Sequence, residues 1–205
     1  MGYDMLIPDM VPGRVQTLDA TMRLPTDELL VRWTEVSALL PLLQFSYFPW
    51  NYVEGTESIV RAYARLHKML QAYILDEAQD GDAPLVRPLW FVEPDNSSVY
   101  AVSDQFLLGN DLLVCPVLDE GAVSREVILP RGLWLDAWTG EVLEGGVTCP
   151  DVSALCPGMP LYVRANRTDL FEGVHRILSD IERGTIRTGV CSTTYSCGLN
   201  RDLNV

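Results

Sequence analysis

Histidine is nearly absent from this 205-residue chain, which has only His67 and His175. None of its five cysteines, Cys115, Cys149, Cys156, Cys191 and Cys197, stands in CxxC spacing, so no zinc-type ligand set is on offer. An odd count leaves at least one free thiol. Cys149 and Cys156 are spaced either for a bridge or for two small core residues. Cations are also scarce: 15 Lys and Arg stand against 28 Asp and Glu, a net charge of −13. That balance argues against a nucleic-acid partner, which needs phosphate neutralisation, and reads as a solubility feature. No apolar run reaches the roughly 18 residues that span a bilayer. The opening Met1-Gly2-Tyr3-Asp4 has neither a basic start nor an apolar leader, and reads as the middle of a longer protein. Phosphate-cradling glycine loops and the G-x-S-x-G elbow are missing too. The acidic run Asp76, Glu77, Asp80 and Asp82 lacks EF-hand spacing and reads as a solvated helix end. No cofactor is implied.

What the chain has is apolar periodicity. Its residues are 48% apolar, enough for a substantial core. Thr26-Asp27-Glu28 reads as a helix start, a capping hydroxyl with acidic residues in the first turn. Helical spacing from Leu29 continues to about Gln44, with Pro41 expected to end it one turn early. A second helix begins near Thr56, with Ile59, Tyr63, Leu66, Leu70, Tyr73 and Ile74 inward and Arg61, Arg65 and Lys68 outward. Leu85 to Val92 reads as a strand buried on both sides, with Trp90 facing the core and Arg87 needing an acceptor, most simply a structural ion pair. After Gly109 the period shortens. Leu112-Leu113-Val114, Val127-Ile128-Leu129, Trp134-Leu135 and Leu161-Tyr162-Val163, split by Gly, Pro and Asp, predict an antiparallel sandwich. Leu170 to Glu182 reads as a short helix in an otherwise poorly specified tail.

Several motifs stand in a telling order. They are Gly2-Tyr3-Asp4-Met5, Val31-Arg32-Trp33 running towards Pro41, Arg87-Pro88-Leu89-Trp90, and Asp104 to Val117. Leu129 to Asp136, Trp138-Thr139-Gly140 and Pro160 to Ala165 follow. Together they resemble the closing part of glycoside hydrolase family 31, the retaining α-glycosidases, over residues 1 to about 165. The resemblance implies an α/β plus all-β fold, the C-terminal end of a (β/α)8 TIM barrel followed by an antiparallel β-sandwich. Residues 1–107 would be the last two strands and helices of an incomplete barrel, with residues 87–90 as its eighth strand. Residues 108–165 would be the sandwich, and 166–205 a tail. Gln44-Phe45-Ser46 stands where many family members carry Arg-Asn-His, and with Ile7-Pro8-Asp9-Met10 is similar to an animal branch for which the resemblance implies α-galactoside specificity.

A retaining glycosidase works with two carboxyl groups about 5–5.5 Å apart. In the family these precede the seventh strand, so the resemblance implies that this chain carries no catalytic residue and is inactive alone. Asp4, at a strand's C-terminal end, is left as a sugar-binding or charge-tuning carboxylate. Ser46 and Trp50 are the other substrate-binding candidates, for an α-linked oligosaccharide or glycoconjugate; the remaining tryptophans fit core positions. Asn96-Ser97-Ser98 and Asn166-Arg167-Thr168 fit the N-glycosylation rule, in keeping with a parent protein in the secretory lumen or anchored to a membrane. A non-catalytic carbohydrate- or protein-binding relative is the rival reading. Residues 1–107 are expected not to fold alone, whereas 108–165 are expected to be more self-sufficient.

Overall fold

The structure, a computed structural model, describes residues 6–13, 15–16, 22–79 and 83–188. A two-stranded antiparallel ribbon, β1 (Val15–Gln16) and β2 (Met22–Arg23), leads to helix α1 (Asp27–Ala38). Thr26 caps α1, its side chain accepting from the N–H of Leu29 at 3.2 Å, and Asp27 and Glu28 favour the positive end of the helix. The helix ends at Ala38, before Pro41 could remove a hydrogen bond, so the apolar spacing up to Gln44 outruns it. Helix α2 (Glu54–Gln79) buries Ile59, Tyr63, Leu66, Leu70, Tyr73 and Ile74 and turns Arg61, Arg65 and Lys68 outward, as its periodicity demands.

The rest of the chain builds one antiparallel sheet. Its strands are β3 (Val86–Pro88), β4 (Phe106–Leu108), β5 (Leu112–Val114), β7 (Leu133–Asp136), β8 (Val142–Glu144) and β10 (Leu161–Arg164), in the spatial order β3-β4-β5-β10-β7-β8. Strands β6 (Ser124–Leu129) and β9 (Val147–Ser153) pair separately as a ribbon. Side-chain alternation explains the layering. Leu108, Leu112, Val114, Leu161 and Val163 join the core shared with α2, whereas Leu107, Leu113, Trp134 and Tyr162 join Val127, Leu129, Cys149 and Val152 of the ribbon. The sheet is thus buried on both faces, and Leu112, Leu113 and Val114 are wholly inaccessible. A fully buried aliphatic side chain contributes about 1.5–3 kcal/mol, so the middle strands hold the domain together.

Helix α4 (Thr168–Thr188) packs on α2 through Leu170, Val174, Ile177, Leu178 and Ile181. The stretch assigned to a weakly specified tail therefore begins as a long amphipathic helix covering the core. A second correction concerns residues 85–92. Only Val86–Pro88 are extended, paired antiparallel with β4, and Leu89–Val92 turn into the short helix α3, with Trp90 and Phe91 partly exposed. They form an edge of the C-terminal sheet, and their one strand neighbour among the described residues is antiparallel. This sheet runs across residue 107, so a cut there strips β3 and most of β4 from residues 108–165. Cys149 and Cys156 belong to different cores and are not bridged to each other, which removes the bridge alternative.

Three buried polar groups fix the layers. Arg87, 3% exposed, meets Glu77 of α2 at 3.2 Å, the carbonyl of Pro84 at 2.8 Å, and Asn110. It is the expected structural ion pair, and it takes Glu77 out of the acidic run read as solvated. Gly109, at φ +61°, makes this possible, because a Cβ there would strike Tyr73 and Glu77. Arg32 of α1, also 3% exposed, donates to Glu28 at 2.7 Å, to the carbonyl of Ala122 at 2.7 Å and to that of Ala154 at 3.3 Å. Glu35, one turn further along α1, accepts from Tyr63 Oη at 2.9 Å and from the N–H groups of Met159 and Gly158.

Burial pushes the Glu35 carboxyl up to about 7, against the opposing pull of Tyr63, Arg32 and the two backbone donors. Because the folded chain holds this proton more tightly than the unfolded one, the contribution is fully present below about 4.5 and is lost as pH rises through about 7. Thermal melts between about pH 4.5 and 7.5 should show stability falling by up to about 3 kcal/mol, and Glu35→Gln should flatten most of that fall. Replacing Arg87 by Met should cost about 3–5 kcal/mol in urea denaturation, because Glu77 is left partly buried without its partner.

Candidate functional site

Among the described residues the chain makes one parallel β contact, between Val11 and Phe45. The N–H of Val11 donates to Gln44 at 2.9 Å and the N–H of Ser46 donates to Val11 at 2.8 Å. α1 lies in the connection between the two segments, so a helix joins two segments that touch in parallel. Val11, Leu30 and Val60 pack beneath the contact with zero to 2% exposure, and Trp33, Leu43, Phe45 and Tyr52 cover their sides. The C-terminal ends of the two segments therefore meet at Pro12 and Ser46.

Each candidate can be placed against that junction. Asp4 lies outside the described residues. Ser46 is on the rim, where its hydroxyl donates to the carbonyl of Pro12 and ties the two segments together. Asp9, which the sequence reading passed over, is an exposed carboxylate on the same segment, accepting from the N–H of Met10 at 2.7 Å. Trp50 is 62% exposed and stacks face to face on Phe48, itself 58% exposed, with ring centroids 4.5 Å apart. Beside it runs a cleft of about 230 Å³ lined by Phe45, Pro49, Trp50, Glu57, Val60 and Arg61. Its polar edge is the ion pair of Arg61 with Glu57, one turn apart on α2. The crowding of five aromatics into residues 45–52 was the signal for Phe48 as well as Trp50.

Trp134 and Trp138 are structural. Trp134 is fully buried, its indole N–H donating to Pro130 at 2.7 Å with the Arg164 guanidinium 3.9 Å above the ring. Trp138 donates to Met159 at 2.9 Å. Buried carboxylates are structural too. Glu35 faces Tyr63, and Asp111 pairs with Arg167. Asp136, raised by burial, accepts from the N–H groups of Trp138 and Thr139. No group of three metal-ligating side chains exists among the described residues, and no helix there is long and apolar enough to cross a membrane. Asn96 and Asn166, the two sequon residues, stand before a short helical turn and in the exposed turn after β10.

Residues 82–168 match the glycosyl hydrolase family 31 C-terminal domain. The chain is 38% identical over 152 residues to the myogenesis-regulating glycosidase of Mus musculus, an alignment covering 70% of this chain and 21% of that protein. It is 30% identical over 172 residues to the SITS-binding protein of Tetronarce californica, covering 80% and 24% respectively. A GH31 α-xylosidase from a soil metagenome, solved with xylose, superposes with a TM-score of 0.65 at 29% identity, over 74% of this chain and 26% of the other. The chain thus spans roughly a fifth to a quarter of the length of these relatives.

The rim residues should separate in stability measurements. Ser46→Ala should cost about 1 kcal/mol in denaturant unfolding by freeing the Pro12 carbonyl. Trp50→Ala, at an exposed ring, should stay within about 0.5 kcal/mol.

Proposed function

The chain belongs to glycosyl hydrolase family 31, whose C-terminal domain occupies residues 82–168, and we propose that residues 1–205 form the closing part and brace of a retaining α-glycosidase. The observation that carries this reading is the parallel contact of Val11 with Phe45 across α1, held to the β-domain by Arg32 and Glu35. A strand–helix–strand unit presents its ligand-facing groups where the strands end. Pro12, Ser46 and the loop after Ser46 stand at the ends of the two segments, and the Asp9 carboxylate lies earlier on the first of them.

Retention needs a nucleophile and a proton donor facing each other across the glycosidic bond. The buried carboxylates Glu35, Asp111 and Asp136 are committed to structural partners, so neither role falls to them. In this reading the catalytic pair is supplied by barrel strands outside this chain. Residues 1–205 contribute the rim that contacts the sugar and the sheet that keeps it in place. Ser46 offers a small hydroxyl where many family members present a cationic or donor imidazole, and Trp50 with Phe48 offers a flat apolar face to a sugar ring. A site built to bond one sugar hydroxyl rejects the epimer that leaves its polar group unpaired, and α-galactoside preference in the complete enzyme is part of the same proposal. Secretory-pathway residence, suggested by the two sequons, belongs to the same proposal.

The exposed Phe48–Trp50 stack favours a second reading, a carbohydrate-binding relative without hydrolysis. One assay separates the two. The purified chain should release no aryl alcohol above background from aryl α-galactoside or α-glucoside, whereas the longer protein that contains it should turn over one of them. Hydrolysis by residues 1–205 alone would overturn the placement of the catalytic pair. A longer protein that binds these sugars without cleaving them would establish the second reading.

A further inference from the structure

We infer that Asn96 carries an N-linked glycan whose first sugar sits in a pocket of the β-domain between Pro94 and Arg164. The inference rests on the secretory residence proposed above but concerns a different part of the molecule from the barrel rim.

Asn96 opens the sequon Asn96-Ser97-Ser98 and caps the turn that follows. Its Oδ1 accepts from the N–H of Ser98 at 3.2 Å and from the Ser98 hydroxyl at 2.7 Å. The carbonyl end of the amide is therefore held by the sequon's own hydroxyl residue. Nδ2 has one partner, the Glu93 carboxylate at 3.3 Å. An amide nitrogen has two hydrogens. Glycosylation joins Nδ2 to the sugar's C1, breaks the C1–oxygen bond to a lipid pyrophosphate donor and releases one amide proton. The second N–H stays available to Glu93.

The pocket beside Asn96 has a volume of about 170 Å³ and is lined by Val92, Glu93, Pro94, Pro130, Arg131 and Arg164. Ordinary ligand pockets run to about 300–1,000 Å³, so this one suits a single sugar residue and not an oligosaccharide. Its walls combine apolar faces from Val92 and two prolines with hydrogen-bonding groups, the mixture a pyranose ring with its hydroxyls needs. The backbone of Arg131 is held from both sides, its N–H donating to Glu93 at 2.6 Å and its carbonyl accepting from Arg164 at 2.7 Å. Arg164 is half-buried over the Trp134 ring. Among the described residues no carboxylate lies within ion-pair distance of it, and Arg131 is its hydrogen-bond acceptor. A guanidinium has five N–H donors, so Arg164 retains capacity for the hydroxyls and the acetamido carbonyl of an N-acetylhexosamine.

The full chain, secreted by cultured animal cells behind a cleavable leader, provides the test. Intact-mass measurement should show Asn96→Gln losing one glycan. Under native conditions a peptide amidase should release the Asn96 glycan at least about tenfold more slowly than from the denatured chain, as one net hydrogen bond to a charged group implies. Arg164→Ala should restore fast release, and Arg131→Ala, at an exposed side chain, gives a second reading should the Arg164 variant fail to fold. An unmodified Asn96 overturns the inference, as does release as fast from the native as from the denatured chain or unaltered by both substitutions. Modification of Asn166 alone would sink it while leaving the secretory reading standing, and neither outcome bears on sugar hydrolysis.

Discussion

A guanidinium taken out of water must be paid back with acceptors, and Arg32 meets that demand by reaching out of its own helix. Its donors end on the carbonyls of Ala122 and Ala154, which belong to the loops flanking the β6–β9 ribbon. Glu28 closes the same contact from the other side, binding both Arg32 and the N–H of Gly121. Glu35 then continues the seam, pinned by Tyr63 of α2 and by the loop before β10. Helix α1 is thus committed to the β-domain by charge satisfaction at one end and by a buried carboxyl at the other. Everything that faces the Val11–Phe45 junction inherits its position from that commitment.

Much of this was legible in the sequence, because periodicity reports burial. The inward face of α2 and the apolar runs of β5, β6 and β10 needed no tertiary information. The same logic found the partner requirement of Arg87, since an arginine inside an apolar run has few alternatives. It failed where a short apolar run does not state its own period. Leu85 to Val92 looks like a strand, yet Pro88 cannot extend the ladder beyond it and Leu89–Val92 coil into a helical turn. Glu77 was misread for another reason. Its neighbours in sequence are acidic, with Asp76 exposed, and only the fold brings Arg87 and Asn110 to it. Helix α4 was underestimated because its apolar residues are spaced among charges, and their burial depends on the distant face of α2.

At the rim, the family resemblance pointed to Ser46 and the loop position to Trp50, but neither showed what holds them. Ser46 is tied to Pro12, so its hydroxyl serves the junction as well as facing outward. Phe48 emerged only as the partner on which Trp50 lies. The division of labour within the chain is therefore uneven: a few exposed groups on loops form the rim, while a sheet buried on both faces and three desolvated polar contacts keep them still.

The order of strands in that sheet has a consequence for synthesis. β10 lies between β5 and β7, joining β3-β4-β5 on one side to β7-β8 on the other. Each of those smaller units closes through contacts local in sequence, but they are not continuous until residues 161–164 have left the ribosome. Between the synthesis of Glu144 and that of Leu161 the nascent chain thus carries two separate half-sheets, with unpaired edges at β5 and β7. A single late strand converts them into one sheet, and α4, made immediately afterwards, covers the core that the strand has just completed.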